Sequence, residues 1–146
     1  MRARDWLLLL IAADGAPGGL DPVRLQKGLF LLVQEAGLPR RESYRFVPYN
    51  YGPMSRGLYR GLRDLVGAGL VERRFESGLP WGRYAVSAEG AAAGRALEAA
   101  MGPRARARLL RLREIKAQIG AQSFAALLTD VYERYPDFAT RSVFRR

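Results

Sequence analysis

One segment constrains the fold of this chain more than any other: Tyr49-Asn50-Tyr51-Gly52-Pro53-Met54, followed by Leu58-Tyr59, Leu62, Leu65 and then Gly69-Leu70-Val71. It reads as a strand end, a Gly-Pro turn and a helix opened by Pro53, then a glycine stop and a second strand. Proline presets the first helical turn, and glycine just past the last turn ends a helix. The spacing predicts a helix from Pro53 to about Ala68, with Leu58, Leu62, Leu65 and Val66 on its core face. Arg56, Arg60 and Arg63 form a stripe on another face. Leu70 to Phe75 and Arg83 to Val86 read as two strands joined by Glu76 to Gly82, a loop longer than a tight turn. A helix followed by such a wing is the middle of a winged helix-turn-helix.

The flanking segments complete the expected layout. A first helix covers Ala3 to about Ala13 and is closed by the breaker-rich Asp14 to Gly19. Met1-Arg2-Ala3-Arg4 ahead of the apolar run Trp6 to Ala13 superficially resembles a short signal peptide. Asp5 interrupts that pattern, and the run is far too short to span a bilayer, so a buried helix is expected. Asp21-Pro22 reads as an N-cap and first helical residue, and Gly37 as the stop of this second helix. Its apolar residues Val23, Leu25, Leu29, Phe30, Leu32 and Val33 cover a broad face and predict deep burial. Tyr44 to Pro48 reads as a short edge strand. Beyond Ser87, a further N-cap, the chain is helical: an Ala-rich helix, then Pro103 to about Ile119, then a helix capped by Ser123 and ended by Pro136. Phe124, Leu127, Leu128, Val131, Tyr132 and Tyr135 form an amphipathic stripe on the last of these. Arg141, Arg145 and Arg146 finish a basic tail. The fold expected is α+β and mostly helical, a single domain overall. A winged helix-turn-helix core over residues 1–90 carries a helical C-terminal extension over 91–146, packed on the core or on a second subunit.

Composition narrows the chemistry. With 24 Lys+Arg against 14 Asp+Glu, the net charge is +10 and the pI about 10.8, a field that favours nucleic acid, an anionic membrane or an acidic partner. Only Lys27 and Lys116 are lysines; the other cations are Arg, as in a codon-biased, Ala- and Gly-rich chain, so charge alone supports binding weakly. The absence of Cys and His removes Cys/His zinc sites, disulfides, thiol nucleophiles and histidine bases. No paired carboxylates or nucleophile constellation stand in the sequence, and Gly15 to Gly19 lacks the preceding strand and the Lys-Ser/Thr of a phosphate loop. No enzyme, cofactor or metal is therefore expected, and a cytoplasmic location fits the lack of Cys.

Leu25-Gln26-Lys27-Gly28-Leu29-Phe30-Leu31-Leu32 resembles the LQK-type second helix of the YwgA-like bacterial proteins, which are similar to the Panacea antitoxin domain. Phe46 to Ser55, then Leu58-Tyr59 and Gly69-Leu70-Val71, resembles the YGP signature of the same group. Tyr132 to Phe138, with Arg141-Ser142, resembles its closing YP segment. Gly28 departs from the pattern, where related sequences usually carry a larger apolar residue. The resemblance implies a winged-helix-like fold and brings no catalytic residues. It also implies a second functional class, because Panacea-type domains act as antitoxins or adaptors that hold a toxin partner.

Two functions thus remain in view. In the first, the chain is a DNA-binding regulator that lays Arg56, Arg60 and Arg63 in the major groove of duplex DNA, with Arg73, Arg74, Trp81 and Arg83 of the hairpin near phosphates or the minor groove. Arg104, Arg108 and Arg111 would supply a secondary basic surface. Each of these charge stripes can equally be a solvated face. In the second, the chain is an antitoxin-like or adaptor module that docks a protein on its helical extension or its tyrosines. The Phe124–Tyr135 stripe would close a homodimer or the chain's own core. Tyr44, Tyr49, Tyr51 and Tyr59 would pack with hydroxyls outward or stack on bases, and Lys27 would lay its stem on the core with its ammonium in water or on a carboxylate.

Overall fold

The Asp21 side chain accepts a hydrogen bond from the Arg24 N–H at 3.0 Å, and Pro22 takes the first turn, where its missing N–H costs nothing. They open α2 (Pro22–Ala36), which stops at Gly37 in the left-handed region. In the computed structural model, which describes residues 1–13 and 19–144, α2 and α1 (Ala3–Ala12) form the centre of an α+β, mostly helical molecule. The breaker-rich Asp14 to Gly18 and the tail residues Arg145 and Arg146 lie outside the described residues. Trp6, Leu7, Leu10, Leu25 and Leu31 are all fully buried.

Around this centre run β1 (Val47–Tyr49), β2 (Gly52–Met54), α3 (Arg56–Gly67), β3 (Val71–Glu76), β4 (Leu79–Val86), α4 (Ala88–Ala99), α5 (Pro103–Ala121) and α6 (Phe124–Arg134). The strands form two antiparallel pairs, β1 with β2 and β3 with β4. Ser87 and Ser123 cap α4 and α6 through their hydroxyls, accepting from Gly90 and Ala126 N–H. The C-terminal helices pack on the chain's own core: α5 lies along α2, and Leu112, Ile115, Ile119, Leu127 and Val131 join the same cluster as Trp6 and Leu25. The stripe on α6 is consumed in that packing, with Leu127, Leu128 and Val131 fully buried and Tyr132 nearly so.

Three local expectations are corrected. Pro53 does not open the third helix. It lies in β2, opposite Pro48, in a hairpin that turns at Asn50-Tyr51 and pairs Tyr49 with Gly52. A hairpin this tight needs Gly52 at φ +85°, a backbone that side chains disfavour. The next pair is the one whose N–H groups point outward, so two prolines can oppose each other without losing a ladder bond. The helix begins instead at Arg56, after Ser55. Second, the β3–β4 hairpin has no long loop: Leu79 to Gly82 belong to β4, the turn narrows to Ser77-Gly78, and a bulge between Arg74 and Glu76 absorbs the register. Third, the Lys27 ammonium does not extend to the outer surface or join a carboxylate: the residue is buried and its Nζ donates to Pro53 O, as described below.

Candidate nucleic-acid interface

The LQK-like and YGP-like segments are one physical unit. Gln26 on α2 donates from Nε2 to Ser55 O at 3.0 Å and accepts from Ser55 N–H at 2.8 Å. Lys27 donates from Nζ to Pro53 O at 3.0 Å. All three contacts are buried, so two neighbouring side chains of α2 fix β2 and the residue that precedes α3. The orientation of the first turn of α3, and with it Arg56, is set from α2.

That turn forms one wall of an open groove of about 900 Å³. Arg56 and Arg60 face it from α3, Arg45 from the segment before β1, and Arg141 from beyond α6; Tyr44 and Tyr49 also line it. No Asp or Glu lines the groove, and among the described residues none of the four guanidinium groups makes an ion pair or hydrogen bond. Four uncompensated cations around one concave surface sum to a focused positive potential. Arg141 arrives because the chain end returns to the hairpin, where Val143 N–H donates to Asn50 O at 2.9 Å.

The other expected residues are placed differently. Arg63 is exposed on α3 but lies outside the groove lining. On the β3–β4 hairpin, Arg74 stands 3.6 Å from Glu72 and Arg83 3.1 Å from Glu76, while Arg73 donates to Trp81 O and lies over the Phe75 ring. Trp81 packs against Tyr51 and Phe124. In the second basic set only Arg104 is exposed without a partner among the described residues. Arg108 donates to the Ala36 and Gly37 carbonyls that end α2, and Arg111 pairs with Glu35 and Glu114. Glu35 also takes Arg134 at 3.3 Å, tying α2 to both α5 and α6. Arg113 reaches Glu98 at 3.0 Å. The arginines of α5 thus serve largely as internal ties. Arg45 and Arg141 were not among the expected site residues, and no local pattern marks them: their convergence with α3 is a product of long-range packing.

The tyrosines divide. Tyr44 turns its hydroxyl inward against Gly61, where only a glycine leaves room, and burial raises its pKa to about 12. Tyr49, Tyr51 and Tyr59 line a second cavity, of about 240 Å³, which shares Tyr49 and Met54 with the groove. Lys27 forms part of its wall and is 2% exposed. Burial lowers its pKa to about 7, against a smaller upward pull from the Asp21 carboxylate.

The chain's other lysine is buried as well. Lys116 on α5 donates to Ile11 O at 2.8 Å and to Ala13 O, carbonyls at the C-terminal end of α1, where the helix dipole favours a cation. In a chain otherwise using Arg, lysine stands at the two places where a cation is enclosed, and a compact ammonium fits where a planar guanidinium would not.

No protein-family model matches the chain, and a search of curated proteins finds no match either. Among the described residues no helix is long and apolar enough to cross a membrane.

Proposed function

We propose that this protein is a nucleic-acid-binding protein of the winged-helix kind, a regulator of duplex DNA that docks through the N-terminal half of α3 and the adjoining groove. The observation that carries the reading is a set of four arginines, Arg45, Arg56, Arg60 and Arg141, that have no partner among the described residues and surround one groove lined by no carboxylate. Phosphates bind such a surface through charge-assisted hydrogen bonds, and a helix end supported from α2 can present Arg56 and Arg60 to a groove of DNA. The layout supports the winged-helix assignment: α1 packs against both α2 and α3, and α3 leads directly into the β3–β4 hairpin. Here the β1–β2 hairpin separates α2 from α3 and adds Tyr49 to the docking surface. The Arg74–Glu72 and Arg83–Glu76 pairs of the hairpin are of the surface kind worth about 0–1 kcal/mol, so they exchange for phosphate at little cost.

The adaptor reading expects an open docking face on the C-terminal helices or among the tyrosines. Its clearest candidate, the α6 stripe, is buried within the chain, which also removes the surface expected to pair two copies. Fluorescence anisotropy of a labelled duplex decides between the classes. The DNA reading expects wild-type binding at low salt and its loss in Arg56→Ala/Arg60→Ala; a wild type that leaves the duplex free at low salt refutes it.

A further inference from the structure

We infer that the cavity over Lys27 is a binding site for a small planar organic anion, an aromatic carboxylate whose ring lies among Tyr51, Tyr59 and Trp81 while its carboxylate meets the Lys27 ammonium. The contrast between the two buried lysines carries this. Lys116 does not line the cavity and donates to two helix-end carbonyls. Lys27 lines the cavity, and among the described residues it makes one hydrogen bond, to Pro53 O, and has no carboxylate within ion-pair distance. An ammonium carries three donors, so two N–H groups have no acceptor among the described residues. A buried charge is costly unless paired and hydrogen-bonded, and an entering carboxylate supplies both a counter-charge and acceptors.

The remaining wall suits a ring. Pro22, Val23 and Pro53 provide apolar surface, and Trp81 stands 5.7 Å from Tyr51, ring centre to ring centre. About 240 Å³ lies below the roughly 300–1,000 Å³ of pockets for drug-sized ligands, which limits the occupant to one or two rings. Gly52 belongs to the same device: a Cβ there would approach Lys27 Cε to 3.4 Å and Tyr132 Cε1 to 3.0 Å, so glycine keeps the ammonium uncovered.

Protonation gives the site a signature. The charged and titratable groups around Lys27 are Asp21 at the start of α2, Tyr49 of β1, Tyr51 of the hairpin turn, Tyr59 of α3 and Tyr132 of α6. Burial raises the pKa of Tyr59, away from a window of pH 6 to 9. Lys27 titrates inside it, near 7. An anion that requires the ammonium therefore binds evenly below that pH and weakens by about tenfold per unit above it.

The probes are benzoate and 2-naphthoate, with benzamide as the neutral counterpart, titrated by calorimetry and by tryptophan fluorescence. Trp81 borders the cavity and Trp6 is fully buried elsewhere, so a saturable spectral change reports this site. The expected result is binding of at least one carboxylate, at least about tenfold tighter than benzamide, weakening above pH 7 and lost in Lys27→Met. Three results would each overturn the site: no saturable binding of either carboxylate, equal binding of benzamide, or an affinity unchanged from pH 6 to 9. The pH series uses the wild-type protein alone, so the test stands even where Lys27→Met perturbs folding. Titrations are made without nucleic acid, so a failure here leaves the arginine groove untouched, and failure of duplex binding leaves this site untouched.

Discussion

Replacing Gln26 with Leu should unlatch β2 from α2 at a cost that can be worked from two atoms. The Gln26 amide is 2% exposed, as is Ser55, and it satisfies both the N–H and the C=O of Ser55, at 2.8 and 3.0 Å. Leucine fills nearly the same space but leaves both backbone groups buried and unpaired. Each such group costs about 1–3 kcal/mol, and the added apolar burial of Leu offsets part of it, so the net loss is about 3 kcal/mol. For a chain of this length that corresponds to a fall of about 6–12 °C in Tm. Urea denaturation measures it directly: the midpoint falls while the slope stays constant. Amide exchange at Ser55 should accelerate selectively, because the damage is local to that N–H. The duplex-binding affinity should also fall, since Arg56 follows Ser55 immediately, although Gln26 itself lines no part of the arginine groove. A loss under about 0.5 kcal/mol, the size of an ordinary surface substitution, would refute the latch.

Two further outcomes follow from buried positions. Lys27 has a folded pKa lowered to about 7 from 10.5, so the unfolded chain binds more protons between those values; wild type should gain stability relative to Lys27→Met as pH rises from 7 toward 10.5, at up to about 1.4 kcal/mol per unit, and parallel curves in urea melts across pH would contradict the burial. A Cβ on Gly28 would meet Leu10 Cδ2 at 2.8 Å and Ile119 Cδ1 at 3.0 Å, where α1 and α5 close on α2; Gly28→Leu should cost about 1–3 kcal/mol through overpacking, and an unchanged denaturation midpoint would show that the helices separate freely.

What the sequence disclosed was chiefly what is local. The caps Asp21, Ser87 and Ser123 and the stop at Gly37 act through neighbours a few residues away, and each stands where its chemistry placed it. The amphipathic faces of α3 and α6 were largely legible, since burial follows the helical period and Leu58, Leu62 and Leu65 are buried; Val66, expected on the same face of α3, is instead 39% exposed. Pro53 misled because proline serves a first helical turn and an outward-facing strand position alike; the choice was made by Lys27 and Gln26 holding the segment from another helix. The same holds for Trp81, whose strand is extended by a bulge rather than by any strand-forming run. The Arg56 and Arg60 half of the groove lay in a visible stripe. Arg45 and Arg141 did not: Arg45 comes to α3 beside Tyr44, which packs on Gly57 and Gly61, and Arg141 through the return of the chain end to Asn50. Likewise, charge count could not separate arginines that tie α5 to α2 and α4 from those left free; only the positions of Glu35, Glu98 and the α2 carbonyls do so.

The most direct test of the arginine groove is the salt dependence of duplex binding. Each phosphate that the protein no longer neutralises should flatten the slope of log K against log salt by about 0.9. Arg45, Arg56, Arg60 and Arg141 replaced together by Ala should therefore flatten it by up to about 3.6 units, while Arg104→Ala/Arg108→Ala/Arg111→Ala should change it by no more than about 1 unit. Equal flattening by both sets would contradict the account, as it would mean that charge spread over the whole surface, and not the groove beside α3, holds the nucleic acid.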